Sequence, residues 1–309
     1  MGQETKSSPR KAAKNAERKF ANKIHDYAES HAASSSDLGM FKDALGYGRL
    51  CNTMLASDLR LRRKASHFLA QGLRKLRNAC PELEFQFWTL THEQGNTSDR
   101  TPTIDLKFLR SQTDKTLRKQ GLDGVYVIEV QGLGNYPAKG NGRLIMVHVH
   151  ALTWSVKPLN FEAVEDELNS GSMWKNSLGA LPVRVKPVTD ADGELEYLSY
   201  YLFKPPYDAK MVEKRKRGER LKSTEKGYKP EFAARMLELL SQLEITELVR
   251  SSCEGKFIRR EWQRRLINWH RSRERWSGGK LPNYYFDDLW DRYRTKKKKK
   301  EYAPFTIIR

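Results

Sequence analysis

The distribution of apolar residues along the chain predicts a protein of the α+β class with a helical C-terminal extension. Three observations support this class. Short segments rich in aromatic and β-branched residues alternate with a period of two, which is typical of strands. Other segments repeat their apolar residues every three to four positions, as amphipathic helices do. Beyond residue 210 the composition changes to long, charged stretches with helical spacing.

The first elements predicted are a helix, a strand and a second helix. Residues 58–79 carry leucines at helical spacing among many basic residues, so they predict a basic amphipathic helix. Residues 85–92 are dense in aromatic and β-branched side chains, which favours a strand. Residues 104–119 return to helical spacing. The chain therefore changes between helix and strand early, as an α+β fold requires.

A β-hairpin is predicted next. Residues 124–131 and 143–154 are apolar, strand-like segments, and the stretch between them, 132–142, contains four glycines, a proline and two asparagines. Glycine, proline and asparagine favour turns, so this stretch predicts a loop. Two strands joined by one loop are expected to pair in antiparallel orientation.

The elements after the hairpin are a helix, a strand and another helix. Residues 160–170 have helical spacing, and 181–188 alternate as a strand. Capping residues precede Glu194, where a further helix is expected to begin. That helix is expected to end before the Pro205–Pro206 pair.

Three regions are expected along the chain. Residues 1–40 form a basic, flexible extension, in which about 8–29 either remain a solvated tail or become helical on contact with phosphate. Residues 41–210 form the mixed helix and strand domain. Residues 211–309 form a basic, mainly helical region that includes the five lysines at 296–300.

Within the C-terminal region, residues 211–230 predict an exposed basic linker or a solvated helix, and 231–250 predict a packed helix. Residues 256–276 alternate arginines with large apolar groups. Six arginines of this stretch are candidates for contacts with nucleic-acid phosphates, or equally for a solvated face: Arg259, Arg260, Arg264, Arg265, Arg271 and Arg273.

The net charge indicates a polyanionic partner. Lys and Arg number 57 against 38 Asp and Glu, so the formal charge is +19. Nucleic acid is the commonest partner of such a chain. No apolar run approaches the roughly 18 residues of a membrane span and no secretory signal pattern occurs, so we expect a cytoplasmic protein without a membrane partner. Cys51, Cys80 and Cys253 are too few and too scattered for a disulfide framework or a zinc cluster.

A pair of histidines in the second hairpin strand points to a metal ion. His148 and His150 are two residues apart, so on a strand both imidazoles face the same side. If the hairpin is centred near residue 138 or 139, Glu129 lies across from one of them at a Cβ distance of roughly 5 Å. Two imidazoles and a carboxylate can share one divalent cation. The alternative for Glu129 is an ordinary glutamate on the face of an edge strand.

A stripe of phenols and an ammonium is predicted on the helix that begins near Glu194. Tyr197, Tyr201 and Lys204 stand at i, i+4 and i+7, which places them on one side of a helix. A phenol is a weak nucleophile at its usual pKa of about 10, and a neighbouring cation makes the phenolate more accessible. The alternative is that the tyrosines are core aromatics and Lys204 is a surface residue.

Taken together, three segments resemble the motifs of HUH endonucleases, the rolling-circle replication initiators of plasmids and phages. They are Phe87-Trp-Thr-Leu-Thr91, His148-Val-His150 and Tyr197-x-x-x-Tyr201-x-x-Lys204, in this order. The resemblance covers about residues 80–205. It implies a nuclease domain with a central antiparallel β-sheet flanked by helices, a ferredoxin-like palm, and the histidines on a middle strand.

The resemblance also implies the chemistry. His148, His150 and Glu129 would bind Mg²⁺ or Mn²⁺, and Tyr201 would attack a phosphate of a single-stranded or hairpin origin. The products would be a 5′-phosphotyrosine and a free 3′-hydroxyl, with later rejoining of the strand. Tyr197 matches the second tyrosine of two-tyrosine members. Many such members carry a lysine three residues after each tyrosine, whereas Tyr200 stands at the first of these positions here, so an enzyme with a single nucleophile stays open.

Partners and alternatives follow from the same motifs. No P-loop sequence occurs, so no nucleotide cofactor is expected and the chain would depend on a host helicase and polymerase in a bacterial, plasmid-bearing cell. A transposase or a mobilisation relaxase of the same superfamily would share the site and differ in the DNA that it cuts. A non-catalytic nucleic-acid-binding protein is the alternative from another class.

Overall fold

The structure is a computed structural model. It describes residues 9–49, 51–137, 142–176, 178, 180–189, 193–206, 210–215, 218–223, 227–276, 286–295 and 302–309. The helices within these ranges are α1 (Pro9–Ser30), α2 (Ser35–Ala44), α3 (Leu59–Ala79), α4 (Leu106–Lys119), α5 (Phe161–Ser170), α6 (Glu194–Leu202), α7 (Pro230–Ser241), α8 (Ile245–Leu248), α9 (Gly255–Trp276) and α10 (Asp287–Thr295). The strands are β1 (Glu84–Ser98), β2 (Thr103–Asp105), β3 (Asp123–Pro137), β4 (Arg143–Ser155), β5 (Val183–Val188), β6 (Lys210–Arg215), β7 (Gly218–Ser223), β8 (Val249–Ser252) and β9 (Thr306–Ile308).

A central antiparallel sheet of five strands organises the fold. Its order is β5-β1-β4-β3-β8, and every neighbouring pair is antiparallel. β4 lies in the middle and is buried along nearly its whole length, as its continuous apolar sequence predicts. The expected α+β class, with a central antiparallel sheet flanked by helices, is thus confirmed.

Helices cover both faces of this sheet. α4 lies on one face, where the hydroxyl of Tyr126 in β3 donates to Asp114 Oδ1 at 2.9 Å. Glu129 has the opposite parity in β3, so it points to the other face. That face is approached by α6, which packs against α3, and Phe203, just after α6, stacks on Trp262 of α9 with ring centroids 5.9 Å apart.

The N-terminal segment differs from the expected flexible extension. Residues 9–30 form helix α1, and Phe20, Ile24 and Tyr27 are buried in the same core cluster as the sheet. These residues recur at i, i+4 and i+7, so one face of an otherwise basic helix is apolar and packs on α7. The polar stretch that follows is also ordered, because Ser34 caps α2 by accepting from Asp37 N at 3.1 Å.

The C-terminal region also departs from the prediction. The helix expected over 231–250 ends at Ser241, and the chain continues through α8 into β8, whose Val249 pairs with Val127 at the edge of the sheet. The stretch expected as a linker or solvated helix contains the hairpin β6–β7, joined to β3 through Leu133 and Lys210. The lysine run at 296–300 lies outside the described residues.

Two further features complete the architecture. The short strand β9 pairs in parallel with β2, which ties the end of the described chain to the loop before α4. None of the helices that the structure describes has the length and apolar character needed to span a bilayer.

Candidate functional site

The pairing of β3 with β4 brings the two histidines and the glutamate together. Glu129 is directly opposite His148 in the register, and His150 follows on the same face of β4. This is the pairing that a hairpin centred between residues 138 and 139 predicts. All three side chains are buried, with exposures of 6% for Glu129, 1% for His148 and 3% for His150. The sheet itself therefore positions the group, independently of any loop.

The three side chains converge on one point. The Nε2 atoms of His148 and His150 are 3.1 Å apart. Glu129 Oε2 lies 3.3 Å from His148 Nε2 and 2.9 Å from His150 Nε2. Together they form the one group of three possible metal-ligating side chains found among the described residues.

These separations fit a metal ion. An ion bound at about 2.1 Å by nitrogen and oxygen places neighbouring ligand atoms about 3.0 Å apart in octahedral geometry and about 3.4 Å apart in tetrahedral geometry. The three separations, from 2.9 to 3.3 Å, fall in this range. The spacing of the group is thus compatible with one metal ion. Imidazole and carboxylate ligands accept Mn²⁺, Mg²⁺ or other divalent ions.

β1 supplies the support behind His150. Thr89 is paired with His150 in the register, and its Oγ1 lies 3.0 Å from His150 Nδ1. A hydrogen bond at Nδ1 fixes the ring so that Nε2 faces the cluster, which is how ligand histidines are usually oriented. Phe87, two residues earlier, stacks on the same imidazole with centroids 5.2 Å apart. The Phe87–Thr91 motif is thus part of the site through these two side chains.

Helix α6 brings a tyrosine and a lysine to the same place. It follows Gly193, whose positive φ of 75° turns the chain into the helix. The ring of Tyr201 lies 5.1 Å from that of His150. Lys204 Nζ lies 3.9 Å from the Tyr201 ring centroid and 3.6 Å from Glu129 Oε1. Tyr201 of the expected stripe therefore meets the histidine face of the sheet, and Lys204 reaches the same face from just beyond the helix, which ends at Leu202.

Tyr197 occupies a different environment from Tyr201. Its side chain is 48% exposed, and its ring lies 6.5 Å from the ring of Tyr201, one helical turn away. Tyr200 is buried and so is not part of the exposed stripe. Tyr201 is thus the tyrosine of α6 in ring contact with His150.

The electrostatics of the cluster are dominated by burial and by Lys204. Burial would raise the pKa of Glu129, but Lys204 and the hydrogen bonds from His148 and His150 hold that pKa well below its usual range. Burial raises the pKa of Tyr201 and the charge of Glu129 raises it further, although Lys204 opposes both effects. Glu129 is thus an anion in the buried site. The charge of Lys204 acts to lower the pKa of both Glu129 and Tyr201.

Sequence reasoning missed the role of Arg62 on α3. This buried guanidinium donates from Nη1 to the carbonyl oxygens of Phe203, at 3.4 Å, and Lys204, at 3.2 Å, and from Nε to Ala56 O. It therefore holds the backbone just after α6, where Lys204 lies. Burial lowers the pKa of Arg62 to about 10, while Glu129 opposes this shift, so it stays charged at neutral pH. The signal in the sequence is an arginine on the apolar stripe of its helix.

The six arginines expected to contact phosphate divide into two groups. Arg259 donates to Val249 O at 3.0 Å, Arg265 donates to Gln71 Oε1, and Arg273 pairs with Asp58 at 2.9 Å. These three are partly buried and used inside the molecule. The remaining three are exposed on α9: Arg260, Arg264 and Arg271. Of these, Arg264 pairs with the exposed Glu261.

Comparison with known proteins gives no match: no family model, no curated protein and no solved structure matches this chain. The fold and the site define an α+β protein with a central antiparallel sheet and a buried group of two histidines and one glutamate that can hold a metal ion.

Proposed function

We propose that this protein is a metal-dependent enzyme of the HUH type that nicks and rejoins DNA, and that it initiates rolling-circle replication. The proposal rests on one observation, which is that two separate parts of the fold lie in contact. A buried metal-capable cluster on β3 and β4 lies against Tyr201 of α6 and against Lys204, which stands just beyond the end of that helix. A bound metal ion can neutralise charge on a phosphate, and a phenol beside a cation can act as a nucleophile. Together they suit the transfer of a phosphoryl group to tyrosine.

His148, His150 and Glu129 would hold the ion, which when bound supplies charge neutralisation on the phosphate oxygens during transfer. Thr89 keeps His150 oriented through its Nδ1 atom. The neighbouring aromatic Phe87 shields the same ring. Because these groups lie on paired strands, the site is rigid before substrate arrives, and little reorganisation is needed during the reaction.

Tyr201 is the proposed nucleophile. Its phenolic oxygen forms a bond to the phosphorus of the scissile phosphodiester as the bond from phosphorus to the 3′ oxygen breaks. The phenolic proton is lost and the departing 3′ oxygen gains a proton, so the overall step changes no proton count. The product is a 5′-phosphotyrosine with a free 3′-hydroxyl, and attack by a 3′-hydroxyl on this ester reverses the step.

Lys204 assists by its position between the phenol and the carboxylate. Its ammonium lies within 3.9 Å of the Tyr201 ring centroid and 3.6 Å of Glu129 Oε1. It opposes the effect of Glu129 on the pKa of Tyr201, which favours the phenolate that attacks. Arg62 acts indirectly, because it holds the backbone at Lys204.

The charge of the chain favours DNA as the substrate. A formal charge of +19 attracts a polyanion, and the exposed Arg260 and Arg271 of α9 extend the basic surface. In a replication initiator the strand opening and extension would come from a host helicase and polymerase. A transposase or mobilisation relaxase would use the same site, and mapping the position of the nick, at a replication origin or at an element's ends, separates these roles.

The proposal is tested by trapping the covalent product. The protein is incubated with a pool of single-stranded oligonucleotides and Mn²⁺, denatured, and separated on a denaturing gel. We expect a shifted, denaturant-resistant band for the wild type and its loss in Tyr201→Phe. Tyr200→Phe is the matched control, because Tyr200 is the adjacent tyrosine on the same helix and is turned into the core.

Two outcomes would overturn the proposal. Full adduct formation by Tyr201→Phe would remove the assigned nucleophile. Binding of single-stranded DNA with no adduct, in Mn²⁺ and in Mg²⁺, would make the protein a non-catalytic nucleic-acid-binding module.

A further inference from the structure

A cleft opens beside the cluster at the β5 edge of the sheet. It has a volume of about 340 Å³ and is bordered by β1, β5 and α6. Its walls include Phe87, Arg184, Lys186, Tyr197 and Tyr201. This volume is at the low end of the roughly 300–1,000 Å³ of organic-ligand pockets, so the cleft suits a ligand of the size of a single nucleotide.

The register of the sheet aims two cations into this cleft. Arg184 pairs with Thr89, and Thr89 pairs with His150. Paired residues share a face, so Arg184 lies on the histidine face, two strands and about 10 Å from His150. Lys186 pairs with Phe87 and lies on the same face. The edge strand thus extends the face of the cluster with positive charge.

Within the part of the chain that the structure describes, these two cations are not held in ion pairs, unlike some other basic residues of the surface. Lys119 is paired with Glu167, and Arg74 with Glu196. Arg184 and Lys186 are exposed, and among the described residues neither has a carboxylate at ion-pair distance. The acid at the cleft, Glu194, accepts a hydrogen bond from the hydroxyl of Thr189. A pair of exposed cations beside a metal-capable cluster is an arrangement suited to a phosphate chain.

The aromatic wall of the cleft offers a surface for a base. The ring of Tyr197 is 48% exposed, although it stands on a helix whose neighbouring positions Leu195 and Leu198 are buried. Its ring is tilted by 31° from that of Tyr201. An exposed aromatic beside cations is the usual platform for an unpaired base, because every base can stack on it.

We propose that this cleft binds the nucleotide next to the scissile phosphate in single-stranded DNA, with Arg184 and Lys186 on its phosphates and Tyr197 stacked on its base. The inference rests on the proposed function and deepens it. Tyr197 then acts through its ring, so Tyr201 is left as the single nucleophile.

The test measures binding in EDTA, where no cleavage interferes, by fluorescence anisotropy of a labelled single-stranded oligonucleotide at several salt concentrations. Each phosphate contact contributes about 0.7 to the slope of log affinity against log salt. We expect the slope of the double variant Arg184→Gln, Lys186→Gln to fall by about 1.4. The matched control is Lys115→Gln, Arg118→Gln on the opposite face of the sheet, with the same charge change and an unchanged slope.

Tyr197 is tested by a pair of substitutions. Tyr197→Ala should weaken binding at least about fivefold, since stacking of one base is lost, whereas Tyr197→Phe should bind as the wild type does. An unchanged slope in the cleft variant, or equal losses in Tyr197→Phe and Tyr197→Ala, would overturn the inference. A wild type that forms no adduct but whose binding follows this pattern refutes the proposed function and keeps the binding site.

Discussion

Addition of a divalent cation should stabilise the folded protein through the cluster of His148, His150 and Glu129. A ligand that binds only the folded state at 100 times its Kd contributes about 2.7 kcal/mol. An unfolding entropy of about 2.1 cal/mol/K per residue amounts to about 0.65 kcal/mol/K for 309 residues. The melting temperature should therefore rise by about 4 °C when Mn²⁺ is added.

Glu129→Gln tests whether the rise comes from this cluster. The substitution keeps the shape of the side chain and removes its negative charge. If the affinity falls a hundredfold, the same Mn²⁺ concentration contributes about 0.4 kcal/mol, which is a rise below about 1 °C. His25→Gln is the control, because His25 is an exposed histidine that pairs with Glu29 and is not part of the cluster. Differential scanning calorimetry with and without Mn²⁺ gives both shifts, and an equal shift in Glu129→Gln and the wild type would refute the assignment.

Three further predictions concern the surroundings of the site. Arg62→Met should lower the free energy of unfolding in urea by about 3 kcal/mol, because the carbonyls of Ala56, Phe203 and Lys204 lose their donor. A loss below about 0.5 kcal/mol would contradict the structural role of Arg62. Arg273→Gln should cost about 2 kcal/mol by removing the ion pair to Asp58 Oδ2, although Asp58 Oδ1 still caps α3. Arg271→Gln on the exposed side of α9 should change stability by less than about 0.5 kcal/mol, and similar losses in both would count against the division of the arginines. Burial, together with the charge of Arg273, lowers the pKa of His270. The unfolded chain therefore binds a proton at this imidazole more readily than the folded protein does. The stability that comes from the neutral ring is present above the unfolded pKa of about 6.5 and is lost as the pH falls below it. The melting temperature of the wild type should accordingly fall more than that of His270→Gln between about pH 7.5 and about pH 5.5, and parallel falls would contradict this assignment.

The core of the site could be predicted because it depends on local rules. The alternation of a strand fixes the common face of His148 and His150, and the centre of a hairpin fixes which residue lies opposite. Glu129 is predicted to lie across from His148 or His150, and the register pairs it with His148. Helical spacing likewise fixes the face of α6 that carries Tyr201, whereas Lys204 lies two residues beyond the end of α6 and reaches the cluster from the segment that follows the helix.

The C-terminal elements could not be predicted because long-range pairing decides them. Residues 231–250 have helical spacing throughout, yet Val249–Ser252 becomes a strand by pairing with β3, more than a hundred residues earlier in the chain. Four residues are too few for a period of two to be recognised against the helical pattern before them. A long-range partner thus overrides the local preference.

The N-terminal helix was missed for the opposite reason. Its sequence contains the spacing of an amphipathic helix, but its basic composition indicates a tail. Its many lysines indicate a solvated tail, but Phe20, Ile24 and Tyr27 share one face and pack in the core. The spacing alone would have predicted an amphipathic helix. Roles such as those of Arg62 and Thr89 are harder, because each depends on a partner from a distant segment.

The central claim is that Tyr201 becomes covalently linked to DNA. The most direct measurement is mass spectrometry of the protease-digested adduct formed with single-stranded DNA and Mn²⁺. The account predicts a nucleotide remnant on the peptide that contains α6, with fragment ions that place it on Tyr201. A remnant on Tyr197, or on any residue outside α6, would contradict it.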